Sequence, residues 1–276
     1  MLAAALALAA SVSWGCGDFL GGLASRRRPM LTVLAVSETS GLVLIVVVLA
    51  GSGERAPDWG SLGWAVGAGV VGCAGLGALY RGMALGAIGV VAPLSAAAPA
   101  IPVAVGIATG ERPSPLQLTG VAFALAGIVL ASRERTEGGI KLAAGVELAL
   151  VAALGFGLYY VFIDRASAGG PLWAVTTSRA TATVLAVGAA LAIGRLRSSL
   201  RSVPQLAVIG VFDVGANGLL VLALRHGLVS LVSVLSSLYP VTTVMLARVA
   251  LRERIARQQL AGVVLALAGA ALISAG

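Results

Sequence analysis

The 276-residue chain has few of the groups that a water-facing surface needs. Charged residues make up 11% of it and hydrophobic residues 59%, against about 25% and about 45–50% in an ordinary soluble domain. With a mean hydropathy of +1.01, a soluble globular fold is excluded. The two cysteines, Cys16 and Cys73, lie inside apolar runs without metal-ligand spacing. They read as small packing residues, with no disulfide framework or thiolate metal site. Histidine occurs once, as His226 at the end of an apolar run, where a surface position fits better than acid–base work. There is no phosphate-binding glycine–lysine loop and no histidine-rich metal motif. ATP-driven pumping by this chain is therefore excluded, and neither a cofactor nor an enzymatic activity is expected. The net charge of +8 is spread in short clusters between apolar runs, a pattern of topology determinants rather than of a nucleic-acid surface.

What the chain has in abundance is long apolar segments. A membrane-spanning helix needs about 20 mostly apolar residues, and such runs, cut at charges, prolines and glycines, predict helices over 2–22, 30–50, 60–82, 87–109, 115–132, 141–163, 171–193, 204–224, 227–249 and 258–275. No basic residue precedes the first run, and Arg26, Arg27 and Arg28 follow it, so it reads as an uncleaved first helix rather than a signal peptide. The fold class is all-α integral membrane, multi-pass, with ten transmembrane helices and the lipid bilayer as solvent.

The densest polar stretch, 132–139, divides the chain into 1–136 and 137–276, five helices each. The halves match. Gly86, Ser95 and Pro99 fall on Gly227, Ser236 and Pro240 at an offset of 141, and after a one-residue slip Glu111, Gln117, Gly120 and Gly127 fall on Glu253, Gln259, Gly262 and Gly269. Near the half-starts Gly15 and Gly17 match Gly155 and Gly157 at an offset of 140. Five spans is an odd number, so the second half enters from the opposite side and the repeats are inverted, a recurring transporter plan. Odd-numbered loops carry 14 of the basic residues and even-numbered loops four, which on the positive-inside rule puts both termini outside.

Leu94-Ser95 and Pro99, followed by Gly110-Glu111-Arg112-Pro113 and Gln117-Leu118-Thr119-Gly120, recur as Leu235-Ser236-Ser237-Leu238-Tyr239-Pro240, Arg252-Glu253-Arg254 and Gln259-Leu260-Ala261-Gly262. With Trp14-Gly15 and Asp18-Phe19-Leu20-Gly21-Gly22, this pattern resembles the drug/metabolite transporter superfamily, EamA type, across essentially the whole chain. The resemblance implies a secondary carrier in the cell membrane that moves small organic metabolites by alternating access, often as an exporter. It also leaves room for a flippase of lipid-linked carriers, and a non-transporting membrane subunit is the alternative from another class. A homodimer is compatible with it. Many members are thought to keep both termini in the cytoplasm, opposite to the arginine bias, so orientation stays open.

Polar groups inside spans are the candidate site. Glu38 and Arg179 each lie about eight positions into a helix and are separated by 141, the repeat offset. A charge at such depth costs about 2.5–3.5 kcal/mol on insertion scales, so both are expected to face a central cavity, pairing with each other or binding a charged or zwitterionic solute. Asp213 and Asn217, four apart, share a helix face. They suit either solute binding or helix-to-helix hydrogen bonding. Asp18 is near enough to Arg26 and Arg27 for a boundary ion pair. Ser95 and Ser236 precede Pro99 and Pro240 by four residues, so each site combines a hydroxyl with a carbonyl that mid-helix proline leaves free. Those prolines are gating candidates or static kinks. Trp14 and Tyr239 are expected in cavity walls beside these groups, with Tyr80, Tyr159 and Tyr160 as further aromatic candidates. Trp59, Trp64 and Trp173 read as interfacial anchors.

Overall fold

The computed structural model describes residues 1–98, 100–110, 112–136, 139–194, 203–226, 235–236, 238–253 and 255–275. Its helices are α1 (Leu2–Arg27), α2 (Met30–Ser52), α3 (Trp59–Leu85), α4 (Ile88–Ser95), α5 (Ala100–Ala108), α6 (Pro115–Ser132), α7 (Val146–Ser167), α8 (Pro171–Ala192), α9 (Val203–His226), α10 (Tyr239–Ala250) and α11 (Arg257–Ala275). Seven segments are long and apolar enough to cross a membrane, α4 and α5 counting together as one, and two shorter apolar helices fall within α6 and α11. The first of the two inverted repeats holds α1 to α6, with α4 and α5 forming one span, and the second holds α7 to α11.

Most boundaries follow from local chemistry. Asp58 caps α3 by accepting from the backbone N–H groups of Gly60 and Ser61 at 2.8 and 3.0 Å, satisfying donors that a helix start leaves open. Hydrogen bonds from Ser61 hold its exposed carboxyl below the usual carboxylate range. α2 ends at Gly53, whose φ of 70° is left-handed, a stop that glycine makes without penalty. The connection between the repeats forms an antiparallel hairpin, β1 (Arg133–Thr136) with β2 (Gly139–Leu142), pairing Arg133 with Leu142. The span expected from 141 therefore begins at Val146, after Gly145 at φ 84°.

The fourth span is not the continuous helix expected over 87–109. It stops at Ser95 and resumes at Ala100, with residues 96–98 in tight turns closed by Ala97 N–H on Leu94 C=O and Ala98 N–H on Ser95 C=O, at 3.3 and 3.2 Å. Pro93 lies inside α4 and Pro102 in the first turn of α5, and Pro99, which lies outside the described residues, falls between them in sequence. The Ser95 carbonyl, expected to be free, accepts from Ala98. Pro240 sits in the first turn of α10, where its missing donor leaves no bond unmade, and not in mid-helix. Of the ninth span, residues 227–234 lie outside the described residues.

Helix pairing carries the repeat relationship. The closest neighbours are α1 with α9, α3 with α7, α2 with α8 and α6 with α11. Exchanging the repeats turns the first pair into the second and returns each of the last two to itself, as a two-fold axis in the membrane plane requires. The α6–α11 crossing shows this atom by atom. A Cβ on Gly127 would lie 2.7 Å from the Gly262 carbonyl, and one on Gly262 would lie 2.8 Å from the Gly127 carbonyl. Gly120 and Gly269 stand in the same reciprocal relation, at 2.8 and 2.6 Å. These backbones touch, the small-residue packing by which helices associate in lipid. Elsewhere the contacts correct the alignment. Gly15 abuts the Tyr239 carbonyl and Thr242, and Gly157 abuts the Ala98 carbonyl and Ile101, so Gly15 corresponds to Gly157 rather than to Gly155.

Gly127→Leu is expected to lower the thermal unfolding midpoint in detergent strongly, because the side chain meets backbone that cannot yield, whereas overpacking in a deformable core costs about 1–3 kcal/mol. Gly188→Ala, where an added Cβ meets nothing within 4 Å, is expected to leave the midpoint unchanged or slightly raised. Equal midpoints for the two variants would contradict the crossing.

Candidate functional site

Glu38 is the ninth residue of α2 and Arg179 the ninth of α8, each about 12 Å from its helix start at 1.5 Å per residue. Because α2 and α8 pair across the axis, equal depth brings the two side chains together. Arg179 Nη1 donates to Glu38 Oε2 at 3.3 Å, and Arg179 Nη2 donates to Asp213 Oδ2 on α9. The side chains of Arg179 and Glu38 are 14% and 6% exposed, that of Asp213 35%. A guanidinium at this depth is tolerable only when paired, and here two carboxylates from different helices share it.

The triad lines a small cavity, with a volume of about 20 Å³, together with Trp14, Asp18, Ser37, Tyr80 and the backbone of Gly17 and Gly210. That is room for about one water molecule. Glycines let the walls close in. A Cβ on Gly210 would lie 2.1 Å from the Ser37 carbonyl, and one on Gly21 would strike the Tyr80 ring at 2.3 Å. Tyr239 stands behind Trp14, the rings edge to face at 6.2 Å. Its hydroxyl is in hydrogen-bonding reach of Ser95, whose own hydroxyl donates to the Ala92 carbonyl at 2.7 Å. Asn217 lies a turn beyond Asp213 and its amide donates to the Asp213 carbonyl at 2.8 Å.

Of the sequence candidates, Trp14, Asp18, Tyr80, Glu38, Arg179 and Asp213 therefore meet in one cavity. Tyr239 and Ser95 form its outer support. Ser236 is buried and is not among the residues that line the cavity. Ser37 and Gly210 were missed because a serine and a glycine in an apolar run carry no signal of their own.

On each face of the protein a carboxylate is seated on a helix start, reaching from one repeat to the other. On the face where α1 ends, Glu253 accepts from the N–H groups of Ile88 and Gly89 at 3.2 and 3.0 Å, at the first turn of α4. Arg26 bonds the same carboxylate at 2.7 Å and also reaches the carbonyls of Met83 and Gly86, at 3.0 and 2.8 Å. Arg26 thus pairs with Glu253 and not with Asp18. On the face where α1 begins, Glu54 accepts from Trp173 N–H in the first turn of α8, and the Trp173 indole donates to the Glu54 carbonyl, both at 3.2 Å. Trp173 is accordingly held within the protein. Trp64 carries Arg165 over its ring at 4.6 Å, while Trp59 is 88% exposed.

These features define a class: a multi-pass membrane protein of two inverted repeats with an ionic cluster on their axis. The chain matches the EamA-like transporter family twice, over residues 1–133 and 143–275, and it belongs to that family. No curated protein matches it. A protein solved by crystallography is 20% identical over 96% of this chain and 95% of its own, with a TM-score of 0.61, a similarity of fold.

Removing one partner of a fully buried ion pair costs about 3–5 kcal/mol. Glu38→Gln is therefore expected to lower the unfolding midpoint more than Asp213→Asn, whose wild-type carboxylate is better solvated. A double-mutant cycle on Glu38 and Arg179 should return a coupling of about 1–3 kcal/mol, and additive effects would show that the pair is not formed.

Proposed function

We propose that this transporter is a secondary carrier that exports small organic solutes across the cell membrane by alternating access. The observation that carries the reading is the location of the Glu38–Arg179–Asp213 cluster. It lies between two inverted repeats, on the paired helices α2 and α8 and on α9, and lines a small cavity. Sites at such an interface, flanked by interrupted helices, suit rocking of one repeat against the other. The break between α4 and α5 supplies the interruption. Trp14, Asp18, Glu38, Arg179 and Asp213 would line the solute site, and Ser95, Ser236, Tyr239 and Asn217 would support the helices that bear them. Pro99 and Pro240 flank the points at which those helices change direction during the cycle.

Alternating access also requires closures that open in turn. The Arg26–Glu253 contact has the geometry of one: it is 27% and 12% exposed, joins the repeats, and grips a half-helix by its first turn, where a carboxylate is favoured by the open N–H groups and the helix dipole.

A growth-rescue screen against toxic amino acids and metabolites, followed by flux measurements in sealed proteoliposomes, tests the proposal. Wild type is expected to move at least one rescued solute, and Glu38→Gln to insert normally but move none. Flux through Glu38→Gln equal to wild type would remove the site. In a Cys16→Ser, Cys73→Ser background, Ser25→Cys is expected to react severalfold faster with an impermeant maleimide once Glu253→Gln is added, since Ser25 is buried at 7% exposure beside the closure. An unchanged rate would show that Glu253 does not hold that face shut.

A further inference from the structure

The charges around the cavity are unequal in a way that selects a ligand class. Three carboxylates, those of Asp18, Glu38 and Asp213, face a single guanidinium. Both terminal nitrogens of Arg179 are engaged by Glu38 and Asp213. A carboxylate or phosphate entering the cavity would find no free cation among the described residues that line it. Asp18 is in the opposite position. It is partly buried and lines the same cavity as Asp213, another carboxylate. Among the described residues no donor bonds it, and Arg26, two helical turns further along α1, is occupied by Glu253. An acid at this depth without a partner is costly to ionise, and a cation supplied from outside offsets that cost.

The surroundings of Asp18 favour an organic cation. Trp14 is one turn before it on α1, so the two side chains share a helix face, and both line the cavity. Tyr239 backs Trp14 edge to face. Tyr80, packed on Gly21 one turn after Asp18, forms the other side. A carboxylate between aromatic rings recognises an ammonium by ion pairing together with attraction to the ring faces, which strengthens when the group is desolvated. The free volume of about 20 Å³ matches a head the size of a water molecule. A primary ammonium is of that size.

Resting on the carrier reading above, we infer that the solute presents a protonated primary amine to Asp18, with Trp14 as the aromatic wall, while Arg179 is held by Glu38 and Asp213 and binds no part of it. Solutes recognised only through an acidic group are excluded by this assignment.

The test is a binding measurement on the full chain in nanodiscs at neutral pH, which requires no transport and so stands or falls separately from the carrier reading. The probes are 2-phenylethylamine, 2-phenylethanol and phenylacetate, matched in tail and differing in the charge of the head, and the parallel series butylamine, butanol and butyrate. Tryptophan fluorescence and the unfolding midpoint are the readouts. In at least one series the amine is expected to bind roughly tenfold or more tighter than the alcohol, the scale of a desolvated cation contact, and the acid not to bind. Asp18→Asn is expected to abolish the difference between amine and alcohol, and Asp18→Glu to retain it, which separates loss of the charge from loss of the fold. Equal affinity for amine and alcohol in both series, tighter binding of an acid, or an amine preference that survives in folded Asp18→Asn would each overturn the assignment. Binding as inferred, with no flux in sealed vesicles, would instead refute the carrier reading.

Discussion

A guanidinium held in the middle of a bilayer is the constraint around which this molecule is organised. Arg179 cannot face acyl chains, so α8 turns inward. It cannot stand alone, so α2 and α9 must each bring a carboxylate to it at the same depth. Three helices from two repeats are thereby fixed in rotation about their own axes and in height. The remaining contacts complete this arrangement. Ser40 donates from α2 to the Ala207 carbonyl of α9, Ser13 from α1 to the Phe212 carbonyl, and Cys73 from α3 to the Ala182 carbonyl of α8. Each is a small polar side chain bonding a neighbouring helix's backbone, which in lipid has no water to turn to.

The architecture was legible because lipid imposes a simple rule on sequence. An apolar run of the right length, ended by arginine, proline or glycine, must be a helix, and α2, α6, α8 and α11 begin and end within two residues of where those runs do. The same rule made Glu38 and Arg179 conspicuous, since a charge in such a run needs a reason. What the rule could not express is interruption. The run over 87–109 is apolar throughout, and hydropathy does not record that its α-helical bonding gives way to tight turns after Ser95. The spacing of Pro93, Pro99 and Pro102 was the available signal. Partners at span ends were also invisible: Arg26 and Glu253 lie 227 residues apart, and each by itself is an ordinary interfacial charge. Asp213 was expected to act with Asn217 along one helix face, whereas its ionic partner is on α8, a relation that only tertiary packing creates.

The contacts on the two faces share one chemistry, a carboxylate from a loop of one repeat seated on the first turn of a helix of the other. This geometry is strong enough to hold, because N–H groups and a helix dipole both favour the anion, yet it is made of a few hydrogen bonds at partly solvated ends and can be exchanged for water. The α6–α11 crossing is the contrast. Its backbones touch through Gly120, Gly127, Gly262 and Gly269, leaving no side-chain freedom between them. It suits a part that keeps its shape.

Glu38 and Arg179 occupy equivalent positions of the two copies. Were the halves identical, as after a fresh duplication or in a dimer of single repeats, the axis between α2 and α8 would set acid against acid or base against base, and neither could remain ionised in lipid. A pair of opposite sign at this spot requires that the two copies differ there. Joining the repeats into one polypeptide ensures that each half is always assembled with its unlike sister.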